Sequence, residues 1–261
     1  MPKSDRLIVP ADSPSTFPEW IRSSCLKLGE KIVLDVCGQT RTAAELDYRT
    51  DCYAAGLASL GLAPGDHVGV MMQNSIENIE AWFGIQKAGL VEVPVHTASR
   101  GGLLQYLLDH GDVKALVVDE SLLSRVVEIL DSLPKLEHLI VNSGSVPEPV
   151  TGNVASHNLT DLFQESAPPE LQLSALTTAV ILHTSGTTGP PKGVVLSHGA
   201  VLHLTRHIVW LMDYVSSDRL YTTFPLFHNN AKYTSVTAAL ECGGSLVMDR
   251  KFSASGFWST C

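Results

Sequence analysis

Short apolar runs alternate with amphipathic stretches along most of the chain. Residues 47–60 and 75–90 carry apolar positions at helical spacing, and these helices are predicted to end before Gly61 and to begin after Ser75 as N-cap. Four apolar runs predict β-strands, at residues 65–72, 91–96, 114–119 and 136–142. Strands that alternate with helices of this length form parallel βαβ units. The pattern therefore predicts a layered α/β fold with mostly parallel sheets flanked by helices.

The distribution of proline and polar residues suggests a simple domain organisation. Residues 1–18 are polar and interrupted by prolines, and they predict an N-terminal arm. Residues 19–261 predict a single large domain, with a looser connection rich in proline and serine at about 143–174. The stretch 252–261 begins like a helix but lacks the glycine, proline or cationic last turn that usually ends one. We therefore expect this domain to be partial.

Composition and charge exclude several classes of protein. The formal net charge is −9, and no cluster of lysine and arginine offers a nucleic-acid surface. The five cysteines form no C-x-x-C pair, which favours a reduced chain over a disulfide scaffold or a zinc site. No apolar run approaches the roughly 20 residues of a membrane-spanning helix, and the N-terminus lacks the apolar segment of a signal peptide. These features predict a cytoplasmic protein without a transmembrane segment.

The stretch HTSGTTGPPKG, residues 183–193, carries the most specific chemistry in the sequence. Its glycines let backbone amides approach a ligand, its hydroxyls add hydrogen-bond donors, and Lys192 adds a positive charge. A polyphosphate needs this combination, because its oxygens are anionic and only accept hydrogen bonds. The cradle is predicted to consist of Thr184, Ser185, Gly186, Thr187, Thr188, Gly189 and Lys192.

This stretch differs from the P-loop G-x-x-x-x-G-K-[ST], which opens a helix. Pro191 stands where the second glycine would be, and Gly193 replaces the hydroxyl residue after the lysine. The residues that follow predict a second strand, with a helix beginning only near Ser197. We therefore expect a strand–loop–strand unit. The alternative is a tight hairpin of small residues that binds no ligand.

The motif resembles the phosphate-loop signature of the adenylate-forming superfamily, which includes acyl-CoA synthetases, luciferases and peptide-synthetase adenylation domains. The match runs position for position through TSGTTGPPKGV, and FPLFHNNA, residues 224–231, is similar to the acyl-site motif. Supporting segments are RTAAEL, LASLGLAPGDHVGV, NSIENIEAWFGIQKAGLVEVPVH and GGSLVMDRKFSASGFW. They occur in the family's order over roughly residues 30–260. The resemblance implies the N-terminal portion of the acyl-adenylate-forming synthetase fold.

By resemblance, the chain belongs to an acid–CoA ligase that uses ATP, Mg²⁺ and coenzyme A. The phosphate loop would hold the β- and γ-phosphates, and Thr184 is the candidate metal ligand. His228 is the candidate catalytic residue, beside the carboxylate of the acid and the α-phosphate. Asn229 and Asn230 would line the acid pocket. Their sequence, N-N-A, departs from the glycine-containing form of the motif, and it favours a polar or small acid of the betaine type.

Segments expected of a complete family member have no counterpart in this sequence. They include the second acidic metal-binding motif, the ribose-binding aspartate and the small C-terminal domain with its catalytic lysine. Three interpretations stay open: part of an acid–CoA ligase, a non-catalytic ATP-binding remnant, and an adenylation domain that loads a carrier protein. A partial domain is expected to expose an apolar edge and to self-associate into a homo-oligomer.

His203 and His207 lie four residues apart on a predicted helix, a spacing compatible with a metal pair. Without a third ligand or an H-E-x-x-H pattern, a solvated or capping pair is the favoured interpretation.

Overall fold

The computed structural model describes residues 7, 9–144, 154–184 and 189–261. Within them, the strands are β1 (Ile32–Val36), β2 (Gln39–Thr42), β3 (His67–Met71), β4 (Val91–Pro94), β5 (Val113–Asp119), β6 (His138–Asn142), β7 (Ala155–Asn158), β8 (Thr178–Thr184), β9 (Lys192–Ser197), β10 (Arg219–Thr222) and β11 (Ser245–Met248). The helices are α1 (Phe17–Leu28), α2 (Ala43–Ser59), α3 (Ile76–Lys87), α4 (Gly101–His110), α5 (Glu120–Val127), α6 (His198–Met212), α7 (Asn229–Ala231), α8 (Thr237–Glu241) and α9 (Phe257–Thr260). Short 3₁₀ turns lie at Leu130–Ser132 and Leu159–Leu162, and a π-helical segment lies at Lys232–Val236.

The strands form two sheets, and most neighbours within them are parallel. The larger sheet has the order β7-β6-β5-β3-β4-β8-β9, and the smaller has the order β10-β11-β1-β2. Only the β1–β2 and β8–β9 pairs are antiparallel among the described strands. The prediction of a layered α/β fold with mostly parallel sheets is confirmed.

Helices cover both faces of the larger sheet. Buried leucines of α4 and α5 pack on one face with Met71, Val93 and Leu116. Tyr53 and its neighbours in α2 pack with residues of α3 on the other face. A third core, rich in aromatic residues, joins α1, α3, α6 and α8 to the smaller sheet and to β8. The two sheets are therefore linked through a shared layer of helices.

Local capping explains where two helices begin. The Thr42 hydroxyl accepts from the Glu45 amide at 3.1 Å, and the Glu45 carboxylate accepts from the Thr42 amide at 2.8 Å. This capping box starts α2 at Ala43, four residues before the predicted start at residue 47. The N-cap predicted at Ser75 is confirmed, since its hydroxyl accepts from the Asn78 amide at 3.2 Å.

Boundaries assigned from composition differ from the observed elements at two places. Helix α1 begins at Phe17, inside the segment predicted as an arm, and Phe17 is buried against Trp20 and Trp82. The connection assigned to about 143–174 contains β7, which pairs in parallel with β6. In both segments, a few buried apolar side chains anchor a sequence whose composition is otherwise typical of loops.

Strand β9 forms one edge of the larger sheet, and it is attached through its hairpin with β8. Six residue pairs join β8 to β9, whereas one pair, Glu92 with Val180, joins β4 to β8. Val194 and Val195 on β9 are 42% and 60% exposed. This edge therefore presents apolar side chains to solvent, as expected.

Candidate functional site

The predicted strand–loop–strand unit is confirmed by the β8–β9 hairpin. Thr184 pairs with Lys192, so the register brings the two ends of the phosphate loop together. Gly189 has a φ of +125°, which favours glycine at that position. The predicted cradle residues Ser185, Gly186, Thr187 and Thr188 lie outside the described residues.

The two polar side chains at the mouth of the hairpin are available to a ligand. Thr184 and Lys192 are both exposed, and Lys192 forms no ion pair with any residue that the structure describes. The Tyr106 hydroxyl on α4 donates to the Pro191 carbonyl at 2.9 Å, which fixes the exit of the loop. A positive charge beside a hydroxyl, with no ion-pair partner among the residues described, suits the binding of an anionic phosphate.

A tight turn presents His228 at the start of α7. The His228 amide donates to the Pro225 carbonyl at 2.9 Å, and the Nδ1 atom of His228 accepts from the Asn230 amide at 3.3 Å. Because Nδ1 accepts, the neutral ring carries its proton on Nε2. His228 therefore caps α7 and can still donate a hydrogen bond from its exposed side.

The β8–β9 hairpin, which carries the predicted phosphate loop, is called the phosphate hairpin below. A cavity of about 450 Å³ connects its Thr184 end to His228. It is lined by Pro94, His96, Ala98, Ser99, Leu103, Leu107, His183, Thr184, Pro191, Phe227 and His228. The structure thus brings together Thr184 and His228, which the sequence singled out separately. Asn229 and Asn230 are not among the described residues that line this cavity, and the Asn230 amide oxygen accepts from the Thr234 hydroxyl at 2.6 Å.

His96 is a lining residue that the sequence reasoning missed. Its Nδ1 atom accepts from the Ala98 amide at 2.9 Å, so the neutral ring carries its proton on Nε2, as in His228. Its ring lies 4.2 Å from that of Phe227, between centroids. The signal was present, since His96 lies two residues after the end of β4 and ligands of parallel sheets bind at the carboxyl ends of strands.

His183, at the end of β8, adds a third imidazole to the same cavity. Both of its ring nitrogens are buried and lack a hydrogen-bond partner within the described part of the chain. Burial, together with the nearby His110, lowers the pKa of His183, which favours the neutral ring at pH 7. Across the hairpin, a Cβ atom on Gly193 would lie 2.9 Å from Ile181, and this close approach explains the glycine.

Asn74 connects the segment before His228 to both sheets. Its side-chain nitrogen donates to the carbonyls of Phe224 and Asp249 at 3.0 and 3.1 Å. Its side-chain oxygen accepts from the Leu226 amide at 2.9 Å. Asn74 is 2% exposed, so one buried amide fixes the position of the turn that carries His228.

The structure gives no support to a metal pair on α6. The rings of His203 and His207 stack with centroids 6.2 Å apart. Among the described residues, no group of three His, Cys, Asp or Glu side chains could hold a metal ion. None of the described helices has the length and apolar character needed to span a bilayer.

Comparison with known proteins assigns the family. The profile of the AMP-binding enzyme family matches residues 21–260. Long-chain fatty acid transport protein 6 of Mus musculus is 32% identical over 227 residues, which cover 86% of this chain and 36% of that protein. Medium/long-chain-fatty-acid–CoA ligase FadD6 of Mycobacterium tuberculosis is 29% identical over 258 residues, covering 97% of this chain and 41% of that protein.

A solved structure of another fatty-acid–CoA ligase shares the fold. The crystal structure of a long-chain-fatty-acid–CoA ligase, FadD1 of Archaeoglobus fulgidus, superposes with a TM-score of 0.84 at 22% identity. The superposition covers 95% of this chain and 50% of that one. The chain therefore spans half or less of the length of these relatives. Because the family profile matches most of its length, the chain belongs to the AMP-binding enzyme family.

Proposed function

We propose that this chain forms the phosphate- and acid-binding part of an AMP-forming acid–CoA ligase. Such an enzyme joins a carboxylic acid to the α-phosphate of ATP, releases pyrophosphate, and transfers the acyl group to coenzyme A. The observation that carries the proposal is the shared cavity, in which Thr184 at the phosphate hairpin and His228 line one space. The fatty-acid ligase relatives support the same reaction class.

The central difficulty of the reaction is electrostatic, because a carboxylate must approach a polyphosphate. Lys192 supplies positive charge at the hairpin, and the amides and hydroxyls of residues 184–189 supply donors for the phosphate oxygens. Thr184 is exposed at the end of β8, where its hydroxyl fits a single protein ligand to Mg²⁺. Mg²⁺ bound mainly by phosphates and water requires few protein ligands, in agreement with this donor set.

Holding the acid is the proposed role of the imidazoles. His228 and His96 each have Nδ1 occupied by a backbone amide, so each can donate from Nε2 to a carboxylate oxygen. Leu103, Leu107 and Phe227 supply apolar walls for the remainder of the acid. This combination orients a carboxylate while excluding water from it.

The proposal also specifies the class of acid and the thiol that accepts the acyl group. Within the described residues, the cavity combines apolar walls with imidazoles, and it fits a small or medium acid that carries a polar group. Asn229 and Asn230 belong to this proposal as residues near the acid. We propose coenzyme A as acceptor by likeness to the ligase relatives.

The first experiment measures pyrophosphate release from Mg·ATP by this chain with short, aromatic, long-chain and betaine acids. Release with one acid class supports activation and identifies the class. ATP binding without release for any acid would favour a non-catalytic ATP-binding role. Transfer of the acyl group to a carrier protein in preference to coenzyme A would favour the carrier-loading alternative.

A lysine variant tests the phosphate assignment in a separate binding assay. Lys192→Ala removes a charged hydrogen-bond donor and should weaken ATP binding by about 1–3 kcal/mol, measured by calorimetry. Lys27→Ala, at an exposed position on α1, is the matched control and should bind ATP like the parent chain. Equal affinities in the two variants would contradict the cradle assignment.

A further inference from the structure

A buried ion pair links β4 to the π-helical segment that follows His228. Lys232, in the π-helical segment, donates a hydrogen bond to the Glu92 carboxylate on β4. The side chains are 1% and 0% exposed, respectively. The Lys232 ammonium also lies 3.8 Å from the ring centroid of Trp82 on α3, which adds a cation–π contact.

This ion pair is expected to contribute little to the stability of the fold. Desolvation lowers the pKa of Lys232 and raises the pKa of Glu92, because burial disfavours the charged form of each group. The second oxygen of Glu92 and the indole nitrogen of Trp82 are buried without a described hydrogen-bond partner. Buried ion pairs of this kind contribute little net stability, and well-packed apolar residues often replace them without loss. A geometric role is the better explanation.

The pair connects the two walls that carry the donor imidazoles. Glu92 and Pro94 lie on β4, which is followed by His96, and Lys232 follows His228 by one helical turn; Pro94, His96 and His228 line the cavity. The Lys232 amide donates to the His228 carbonyl at 3.4 Å. The ion pair thus fixes the distance between β4 and the helix that begins at His228.

The local helix geometry supports this interpretation. The helix changes from α to π at Lys232, immediately after the short α7 turn that His228 caps. Such π-helical segments are rare, cost stability, and occur frequently at functional sites. Here, the segment directs Lys232 toward Glu92 while the His228 cap is retained.

We propose that Lys232 and Glu92 form a positioning pair that sets the orientation of His228 toward the acid. The proposal rests on the proposed acid activation, and it predicts a separation between stability and function. The double variant Lys232→Met/Glu92→Leu removes both charges and keeps apolar volume. It should unfold at a urea concentration equal to or above that of the parent chain. The acid concentration for half-maximal pyrophosphate release should nevertheless rise by about 10–100-fold, the scale of a small misplacement, while ATP affinity stays within about twofold.

The chain offers a matched control at a second buried lysine. Lys87 is 3% exposed and contacts the Asp47 and Asp51 carboxylates at 2.6 and 2.8 Å, between α2 and α3. The variant Lys87→Met/Asp47→Leu removes this buried lysine and one of its two carboxylates, between helices that contribute none of the described residues lining the cavity. It should leave the acid dependence unchanged. An unchanged acid dependence in the Lys232→Met/Glu92→Leu variant would overturn the positioning role.

A second measurement does not depend on the proposed reaction. Nitrogen-15 NMR of the histidine rings reports which ring nitrogen carries the proton. In the parent chain His228 should show a single tautomer protonated on Nε2, because Nδ1 accepts from Asn230. The Lys232→Met/Glu92→Leu variant should show a mixture, and the Lys87 control should not. An unaltered His228 tautomer in the variant would refute the proposal, whereas an inactive parent chain with the expected NMR result would refute only the activity.

Discussion

His198 links the stability of the chain to pH. It begins α6, it is 1% exposed, and its Nδ1 accepts from the Phe17 amide at 3.4 Å. Burial lowers the pKa of His198 from 6.5 to about 4, a shift that the nearby Glu19 carboxylate only partly opposes. The folded chain therefore keeps this ring neutral at pH values where the unfolded chain protonates it.

The sign and size of the effect follow from this difference. Since the unfolded state binds the proton more tightly, the free energy of unfolding falls as pH decreases below 6.5, and the loss is complete near pH 4. Each pKa unit corresponds to about 1.4 kcal/mol, so His198 accounts for a loss of about 3 kcal/mol. A loss of this size is a large part of the total stability of a typical domain.

The variant His198→Asn isolates this contribution, because asparagine retains an acceptor for the Phe17 amide and cannot titrate. Urea unfolding followed by circular dichroism should be measured between pH 7 and pH 4. The stability of the parent chain relative to the variant should fall by about 3 kcal/mol over this range. Leu202→Val, at a buried position of the same helix, should give an offset that is independent of pH. A parent–variant difference that stays constant with pH would refute the assignment.

Three further predictions concern packing and the site. Gly84→Ala places a Cβ atom 2.7 Å from that of Tyr53, where α2 and α3 pack together. It should lower the free energy of unfolding in urea by about 1–3 kcal/mol. Gly102→Ala, with open space around it, is the control and should leave that free energy unchanged or raise it. Asn74→Ala leaves two carbonyls and one amide without partners and should cost about 2–4 kcal/mol, also by urea unfolding. His228→Asn keeps the cap on α7 but moves the hydrogen-bond donor. Acid activation, measured by pyrophosphate release, should therefore fall more than ATP affinity, measured by calorimetry. Equal losses of both would contradict the proposed role of His228 in holding the acid.

Much of the fold could be predicted because local signals agree with it. The apolar runs that become β3, β4, β5 and β6 are short, continuous and separated by helical patterns, which is typical of buried parallel strands. The phosphate hairpin was predictable for a similar reason, since its loop composition and its flanking apolar residues indicate one local unit. The start of α2 is set by the Thr42–Glu45 capping box, whereas the apolar pattern predicts a start at residue 47.

The contacts that assemble the site are long-range, and sequence patterns carry little information about them. Lys232 and Glu92 are 140 residues apart, and Asn74 reaches Leu226 over 152 residues. Lys232, Glu92 and Asn74 are polar and would ordinarily be placed at the surface. Their burial is decided by tertiary packing, so only the folded structure shows where they lie.

The hairpin that carries Lys192 joins the larger sheet through β8, and β9 lies at the edge of that sheet. One ladder pair, at Glu92 and Val180, joins β8 to β4, whereas six pairs hold β8 and β9 together. Strand β8 is held in the core by Ala179 and Val180, which are buried, so local opening is expected at β9, where Val194 and Val195 are exposed. The amides of β9 should exchange with solvent hydrogen sooner than those of the central strands β3, β4 and β5. The proposed binding of phosphate at Lys192 is then linked to a local opening of the sheet edge, and less to the global stability of the domain.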